Sequence, residues 1–207
     1  MTQQYDEREA RKQYVQRRQR IVCSISGAAL VVALLIALVF HFHLFGLGLK
    51  ESPKVQPNFG NTAPCAVDGA DGAKATYPAN NTVTVRVLNG AGHAGLGGAV
   101  GGALTNRGFT VQIVDTYSSS TVTRTTIYFG KNAINEAYTL AANFTDATMV
   151  MTAREDKLVD VVVGATFSDL KDLEDVPQTG AEIESISGCV AADSMTDLPA
   201  DTDHTAV

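Results

Sequence analysis

The sequence predicts an α/β protein with one N-terminal transmembrane helix and a two-layer α+β domain. The domain has the order β-α-β-β-α-β(-β), with both helices on one face of the sheet. Two observations predict this class. Residues 21–49 contain no Asp, Glu, Lys or Arg, whereas residues 82–163 alternate short strand-type runs with two helix-type runs. Because such alternation builds layered sheets, the second region is expected to fold as one small domain.

The uncharged segment has the length of a membrane span, which we place at 21–43. About 20 apolar residues at about 1.5 Å each cross the hydrocarbon of a bilayer. Six Lys and Arg precede the segment, and basic flanks stay in the cytoplasm. The predicted topology is therefore single-pass in the cell membrane, with a cytoplasmic tail at 1–20 and an extracytoplasmic C-terminal domain. A buried core helix would show a polar stripe, and a cleaved signal peptide would have a shorter apolar region.

Charge and composition divide the rest of the chain. Of 16 Lys and Arg, six lie in 1–20, and of 22 Asp and Glu only three do, which leaves the outer part strongly acidic. An acidic domain is poorly suited to binding nucleic acid. Residues 50–81 hold four of the six prolines and are predicted as a Pro/Gly-rich linker. Residues 171–207 are acidic and poor in large apolar residues, so they are predicted as a largely disordered tail.

Two of the three cysteines, Cys65 and Cys189, lie outside the span. Thiols are oxidised in most extracytoplasmic compartments, so we predict a disulfide that joins the linker to the tail. In the chain-entropy model, closing a loop this long contributes roughly 4 to 5 kcal/mol. The alternative is two free cysteines in flexible segments, because only their even number supports pairing. Cys23, inside the span, is expected to act as a small apolar residue.

The folded domain is predicted at 82–170. Valines alternate with polar residues from Val83 to Val87, which indicates a first strand, and a glycine turn and a helix that ends at Gly108 follow it. This helix includes or adjoins five glycines within 95–102. Each costs about 0.8 to 1 kcal/mol relative to Ala, so the helix must lie unusually close to the sheet, another subunit or a ligand.

The alternation of strand-type and helix-type segments continues to the end of the domain. A split βαβ arrangement with both helices on one face fits the order of elements, and an open doubly wound sheet is the alternative. The further strands are predicted at 109–115, 124–129, 147–152 and 158–163, and the second helix at 134–144.

The turn Gly90-x-Gly92-x-x-Gly95 matches the fingerprint of dinucleotide-binding folds. It follows a strand, opens a helix, and is followed by Asp115 at the expected distance. However, a domain of this size supplies at most one mononucleotide half, and it is expected outside the cytoplasm. We therefore predict no cofactor, and interpret the motif as a glycine turn whose helix N-terminus can accept an anionic group.

Several motifs also resemble a known family. They are Val85-Arg86-Val87-Leu88-Asn89-Gly90, Gly95-Leu96, Gly108-Phe109-Thr110-Val111 and Val161-Val162-Val163-Gly164. Over residues 82–165 the chain is similar to the LytR C-terminal domain family. That domain is commonly appended to enzymes that attach glycopolymers to peptidoglycan, but their catalytic domain has no counterpart here. Membrane-anchored proteins of this layout are associated with envelope integrity and virulence, so the resemblance implies a role in the cell envelope.

Candidate catalytic groups are sparse in the folded part. Its histidine is His93, and no Cys or His cluster has the spacing of metal ligands. Ser118, Ser119 and Ser120 have no histidine nearby in sequence that could act as a base. We therefore predict a non-catalytic protein without a metal site.

The predicted ligand surface is a groove between the glycine turn and the third strand. Besides the membrane itself, the expected partner is a wall glycopolymer, a lipid-linked precursor or an envelope protein. The alternative function is an accessory enzyme or regulator in the attachment of glycopolymers to peptidoglycan; the missing catalytic constellation favours binding. The candidate residues are Arg86, Asn89, Gly90, Gly92, His93, Arg124 and Tyr128.

Overall fold

The computed structural model describes residues 7–41 and 55–200. They belong to two units, Met1–Lys54 and Val55–Val207. In the first unit, helix α1 spans Glu7–His41. Its segment Arg11–Val39 is long and apolar enough to cross a membrane, with a mean hydropathy of 2.7 in its most apolar part. The end of the predicted span at 42–43, the linker residues 50–54 and the tail residues 201–207 lie outside the described residues.

The second unit is built on a five-stranded mixed sheet with the strand order β2-β1-β5-β3-β4. β1 is parallel to both β2 and β5, whereas β3 is parallel to β4 and antiparallel to β5. The strands are β1 Thr84–Asn89, β2 Thr110–Thr116, β3 Thr126–Phe129, β4 Thr148–Met151 and β5 Val159–Val163, and the helices are α2 Leu96–Asn106 and α3 Ile134–Ala141.

Both helices cover the same face of this sheet, as predicted. Val87 of β1 and Phe129 of β3 lie in one buried cluster with Leu104 of α2 and Leu140 of α3. The two-layer prediction is therefore confirmed. The βαβ unit is not split, however, since β1 and β2 are neighbours. The reason is that β5 enters the sheet between β1 and β3, where its five buried residues are covered on both faces.

A buried ion cluster lies on the face of the sheet opposite α2 and α3, which we name the helix-free face. Asp160 of β5 is fully buried and accepts hydrogen bonds from Arg86 Nε at 2.8 Å and from Arg154 Nη2 at 3.0 Å. Arg86 lies directly beside it on β1, and Tyr128 lies beside it on β3. Because buried charges persist only when they are paired, this cluster joins β1 to β5 and ties Arg154, in the segment between β4 and β5, to both strands.

Two segments outside the sheet lie against the domain; we name 55–79 the N-terminal strap and 171–195 the C-terminal strap. The predicted disulfide between Cys65 and Cys189 joins them, with a Cα–Cα distance of 4.9 Å, and is confirmed. Ala75 and Ile183 belong to the buried cluster of the domain. The sequence predicted a linker and a largely disordered tail here. The structure instead places both straps on the surface, because a few apolar side chains and interstrap backbone hydrogen bonds hold them there.

The two edges of the sheet differ. At the β4 edge, the side-chain amide of Asn58 takes the place of a neighbouring strand. Its Nδ2 donates to the carbonyl of Met149 at 2.8 Å, and its Oδ1 accepts from the Met149 N–H at 2.7 Å. At the β2 edge, no strand pairs with the outer side of β2 within the described residues.

Candidate functional site

The glycine turn between β1 and α2 is shaped by Asn89. Its Nδ2 donates to the carbonyl of His93 at 2.7 Å, and its Oδ1 accepts from the Ala91 N–H at 3.3 Å. Gly92 and Gly95 have φ angles of 73° and 81°, which side chains disfavour. The turn therefore exposes the ring of His93 but keeps Asn89 occupied by its own backbone.

The loop 117–124 fills the space that a ligand of a glycine turn would need. Val122 donates its N–H to the Gly90 carbonyl at 2.9 Å. A Cβ at Gly90 would lie 2.8 Å from the side chains of both Val122 and Val162, and one at Gly92 would lie 3.0 Å from the Ser120 carbonyl. The carboxyl ends of β1 and β5 are the usual ligand crevice of parallel sheets. Here Val122 occupies it, so packing within the chain explains these glycines.

We expect Gly90→Ala to lower the free energy of unfolding by about 1 to 3 kcal/mol, because the added methyl overpacks the contact with Val122. Adding Val122→Ala removes Cγ2, one of the two atoms at 2.8 Å, while Cβ of residue 122 at 2.9 Å and Val162 Cγ1 at 2.8 Å still crowd the methyl. The double variant should therefore recover part of the loss, with a coupling of up to about 1 kcal/mol. Denaturant titrations of the four proteins measure this coupling. Strictly additive losses would show that Val122 is not what requires glycine at position 90.

The other predicted site residues do not form one surface. Arg86 and Tyr128 share the helix-free face, but Arg86 is bound to the buried Asp160. Burial raises the pKa of Tyr128, and its neighbour Tyr117 adds to the shift. Arg124 lies elsewhere, with its guanidinium carbon 3.7 Å from the ring centroid of Phe59 in the N-terminal strap. The structure thus leaves the turn around His93 as the exposed part of the predicted groove.

A different cleft, which we name the aromatic cleft, lies between the two straps, α3 and β4. It has a volume of about 250 Å³. Three aromatic rings line it, those of Phe59, Tyr77 and Tyr138, and Glu184 stands at its side. Burial raises the pKa of Tyr77, followed by the effects of Tyr138 and Glu184. The cleft therefore combines apolar ring surface with one exposed carboxylate, the composition that is typical of small-ligand sites.

The rings of the aromatic cleft are held in place by main-chain contacts. The hydroxyl of Tyr138 donates to the Pro64 carbonyl at 2.8 Å and accepts from the Ile186 N–H at 3.1 Å, which ties α3 to both straps. Asn58 and Phe59 have left-handed φ angles of 48° and 52°. Such angles are costly for residues with side chains. They allow Asn58 to bind the β4 edge while Phe59 stacks on Arg124.

Two further clefts of about 390 and 370 Å³ also border the straps. The larger contains Lys131, which pairs with Glu155, and Lys157, which pairs with Glu136. Strap residues therefore take part in lining all three of these clefts.

Sequence reasoning missed the aromatic cleft. Phe59 and Tyr77 are isolated in a proline-rich segment without periodicity, where a linker was predicted. The available signal was the predicted disulfide itself. A bond from Cys65 to Cys189 draws these rings and the isoleucines that precede Cys189 towards the same domain surface.

Comparison with known proteins identifies the domain. Residues 82–167 match the family model described as LytR cell envelope-related transcriptional attenuator. This segment is therefore similar to LytR C-terminal domains. The match covers the whole sheet with α2 and α3, and it leaves out both straps. The aromatic cleft therefore combines elements of the matched segment with Phe59, Tyr77 and Glu184 from outside it.

A solved structure is similar over part of the chain. It is the soluble domain of a conserved hypothetical secreted protein from Mycobacterium marinum, with 27% sequence identity and a TM-score of 0.43. The similarity covers 49% of this chain and 71% of that one. No curated protein matches the chain. Within the described residues there is also no group of three His, Cys, Asp or Glu side chains placed to hold a metal ion.

Proposed function

We propose that the protein is a membrane-anchored, non-catalytic module of the cell envelope that binds a wall glycopolymer in the aromatic cleft. The observation that carries the proposal is this cleft, formed where disulfide-joined straps cross a LytR C-terminal domain. The family model is named for its relation to the cell envelope, and an anchored domain with a glycan site is suited to that location.

An extracytoplasmic position is supported by two features. The first part of helix α1, residues 8–20, contains six Lys and Arg, which favour the cytoplasmic side of a membrane, and the apolar part follows them. The domain that follows contains the Cys65–Cys189 disulfide, which persists in oxidising compartments and is rare in the cytoplasm. Both features agree with export of the domain across a single span.

A sugar ring fits the chemistry of the aromatic cleft. Pyranose rings present C–H groups on one face, which pack on aromatic side chains, and hydroxyl groups at the rim, which donate to carboxylates. Phe59 and Tyr77 are half-buried, so their rings are both accessible and held in position, and Glu184 is exposed beside them. The volume of about 250 Å³ suits one or two rings of a chain that continues across the surface.

A binding role is also supported by what surrounds His93. In the described residues, no hydrogen bond joins its ring to a serine, cysteine or carboxylate, and the contact of this residue with Asn89 is made through its backbone carbonyl. A nucleophile and a base within hydrogen-bond reach would be the usual signature of covalent catalysis.

We expect the full chain, solubilised in mild detergent, to sediment with isolated cell wall. Tyr77→Ala should weaken this binding about tenfold, because one stacked ring contributes about 1.4 kcal/mol. Tyr117→Ala is the matched control: it removes a half-buried tyrosine on the helix-free face and should bind like the unaltered protein.

Three results would distinguish the possible ligands and binding sites. Wall stripped of its secondary polymers should bind weakly if the glycopolymer is the ligand. Loss of binding in Asn89→Ala with His93→Ala, but not in Tyr77→Ala, would instead place the site at the glycine turn. Failure of the unaltered chain to sediment with either wall preparation would overturn the proposal and direct the search to a membrane protein or a lipid.

A further inference from the structure

The outer edge of β2 is an unused pairing surface. β2 is seven residues long, the longest strand of the sheet, and it lies at one end of the strand order. At about 3.3 Å per residue its regular part, residues 113–116, offers an edge of roughly 13 Å. The other edge, at β4, is only four residues long and is occupied by Asn58. Of the two edges in the described sheet, only the β2 edge is free to pair.

The side chains of β2 do little to protect this edge. Proteins usually block edge strands with lysine, proline or a bulge. From Thr110 to Thr116 the one charged residue is Asp115, and a β-bulge at Gln112 confines the regular part of the edge to residues 113–116. Ile113 is 38% exposed and Val114 is 45% exposed. They lie on opposite faces, since Ile113 pairs with Arg86 and Val114 with Val87.

Helix α2 contains two glycines that nothing in the monomer explains. Gly97 and Gly101 face the sheet, where a Cβ would lie 3.3 Å from Asn89 and 2.7 Å from Val114, respectively. Gly98 and Gly102 follow them by about 100° of helix rotation, which turns them away from the core on the β2 side. A Cβ at either would meet nothing within 4 Å. Each still costs about 1 kcal/mol of helix stability relative to Ala.

We propose that β2 pairs antiparallel with β2 of a second copy of this chain, about a twofold axis at Val114. The axis stands perpendicular to the sheet, so the paired sheets are continuous and both α2 helices lie on one side. Val114 then faces Val114 of the second copy, and Ile113 faces Asp115. In this register no like charges oppose each other, whereas a register centred on Asp115 would bring two carboxylates together.

The exposed glycines fit this arrangement. α2 lies over β1 and β2, and strands are spaced by about 4.8 Å. The twofold axis therefore places the two α2 axes about 10 Å apart, close to the 8–10 Å of packed helices. Gly98 and Gly102 are on the facing sides, where the absence of side chains permits this approach. Close packing of the two helices in the dimer thus accounts for glycine at positions 98 and 102, despite the helix stability that each glycine costs.

A second copy of this chain is the partner that we favour for the β2 edge, because the edge and the glycines of α2 can pair with the same features of another copy. The interface is small: a strip whose regular part is roughly 13 Å long and two layers deep falls below the approximately 800 Å² per partner of stable soluble dimers. Two copies anchored in one membrane meet at a much higher effective concentration than in solution. This step rests on the proposed anchoring but not on the proposed glycan site, so either can fail without the other.

Cysteine cross-linking in native membranes tests the pairing. The full chain carries Cys23→Ser, keeps Cys65 and Cys189, and receives Val114→Cys or, as a matched control, Thr145→Cys at an exposed position remote from β2. Opposite Cβ atoms in an antiparallel pair are about 4.5 to 5.5 Å apart, within reach of a disulfide under mild oxidation. We expect about tenfold more cross-linked dimer from Val114→Cys, the ratio given by about 1.4 kcal/mol of specific association.

A second cross-linking experiment adds Gly98→Leu to the Val114→Cys variant. In the monomer this leucine enters open space and raises helix propensity, so the variant should keep or increase its thermal stability. In the dimer it obstructs the approach of the two α2 helices, and the cross-linked fraction should fall to the level of Thr145→Cys. Equal cross-linking at positions 114 and 145, or cross-linking that is unaffected by Gly98→Leu, would overturn the proposal.

Discussion

Replacing Cys65 and Cys189 by serine is expected to lower the free energy of unfolding of the domain by about 4 to 5 kcal/mol. The bond closes a loop with a sequence separation of 124 residues, and in the chain-entropy model the stabilisation grows with the logarithm of loop length. A loss of this size is a large fraction of the 5 to 15 kcal/mol that holds a typical domain folded. Denaturant titration followed by tyrosine fluorescence measures it, since the chain has six tyrosines and no tryptophan.

The matched control is Cys23→Ser. Cys23 is a free cysteine in α1, outside the domain, so its replacement should leave the transition unchanged. Adding a reductant to the unaltered chain should reproduce the loss seen in the double serine variant. If reduction leaves the midpoint where it was, the straps are held by packing alone and the disulfide is not their main constraint.

The second large effect is expected from Asp160→Asn, which should cost about 3 to 5 kcal/mol. The substitution keeps the shape of the side chain but removes the negative charge that Arg86 and Arg154 share in a buried position. Desolvated guanidinium groups then face a neutral amide. Glu155→Gln is the control, because Glu155 forms an exposed ion pair with Lys131 and should change stability by less than about 1 kcal/mol.

Thermal and urea unfolding of both variants decide between the two interpretations of the ion cluster. A loss in Asp160→Asn as small as that in Glu155→Gln would mean that water reaches the two guanidinium groups. In that case Arg86 would be available to a ligand, as the sequence interpretation assumed.

Arg86 shows why the site was harder to predict than the strands. The alternation around Val85 and Val87 fixes β1 to within two residues, because a strand with one buried face repeats every second residue. The same alternation assigns Arg86 to the solvent side. Only the pairing of β1 with β5 reveals Asp160 beside it, and strand order depends on contacts between residues 74 positions apart. Local pattern carries no information on such contacts.

The aromatic cleft was missed for a related reason. Helices and strands are recognisable because their apolar residues repeat, whereas Phe59 and Tyr77 lie in irregular backbone. Their burial comes from the surfaces of α3 and β4, to which the disulfide ties them. At the aromatic cleft the sequence shows no sign of a site, whereas at the glycine turn it indicates one. The spacing of the turn matches a ligand-binding pattern, but Val122 of the same chain occupies the space.

The amide of Asn58 on the backbone of Met149 has a consequence for assembly size. A sheet that is free at both margins can add copies without limit and grow into filaments. Here the backbone of Met149 at the β4 margin is already bound by a side chain of the same molecule, which hinders the addition of a further strand there. If two copies pair through β2 as proposed, Asn58 therefore favours a closed pair of copies over a filament.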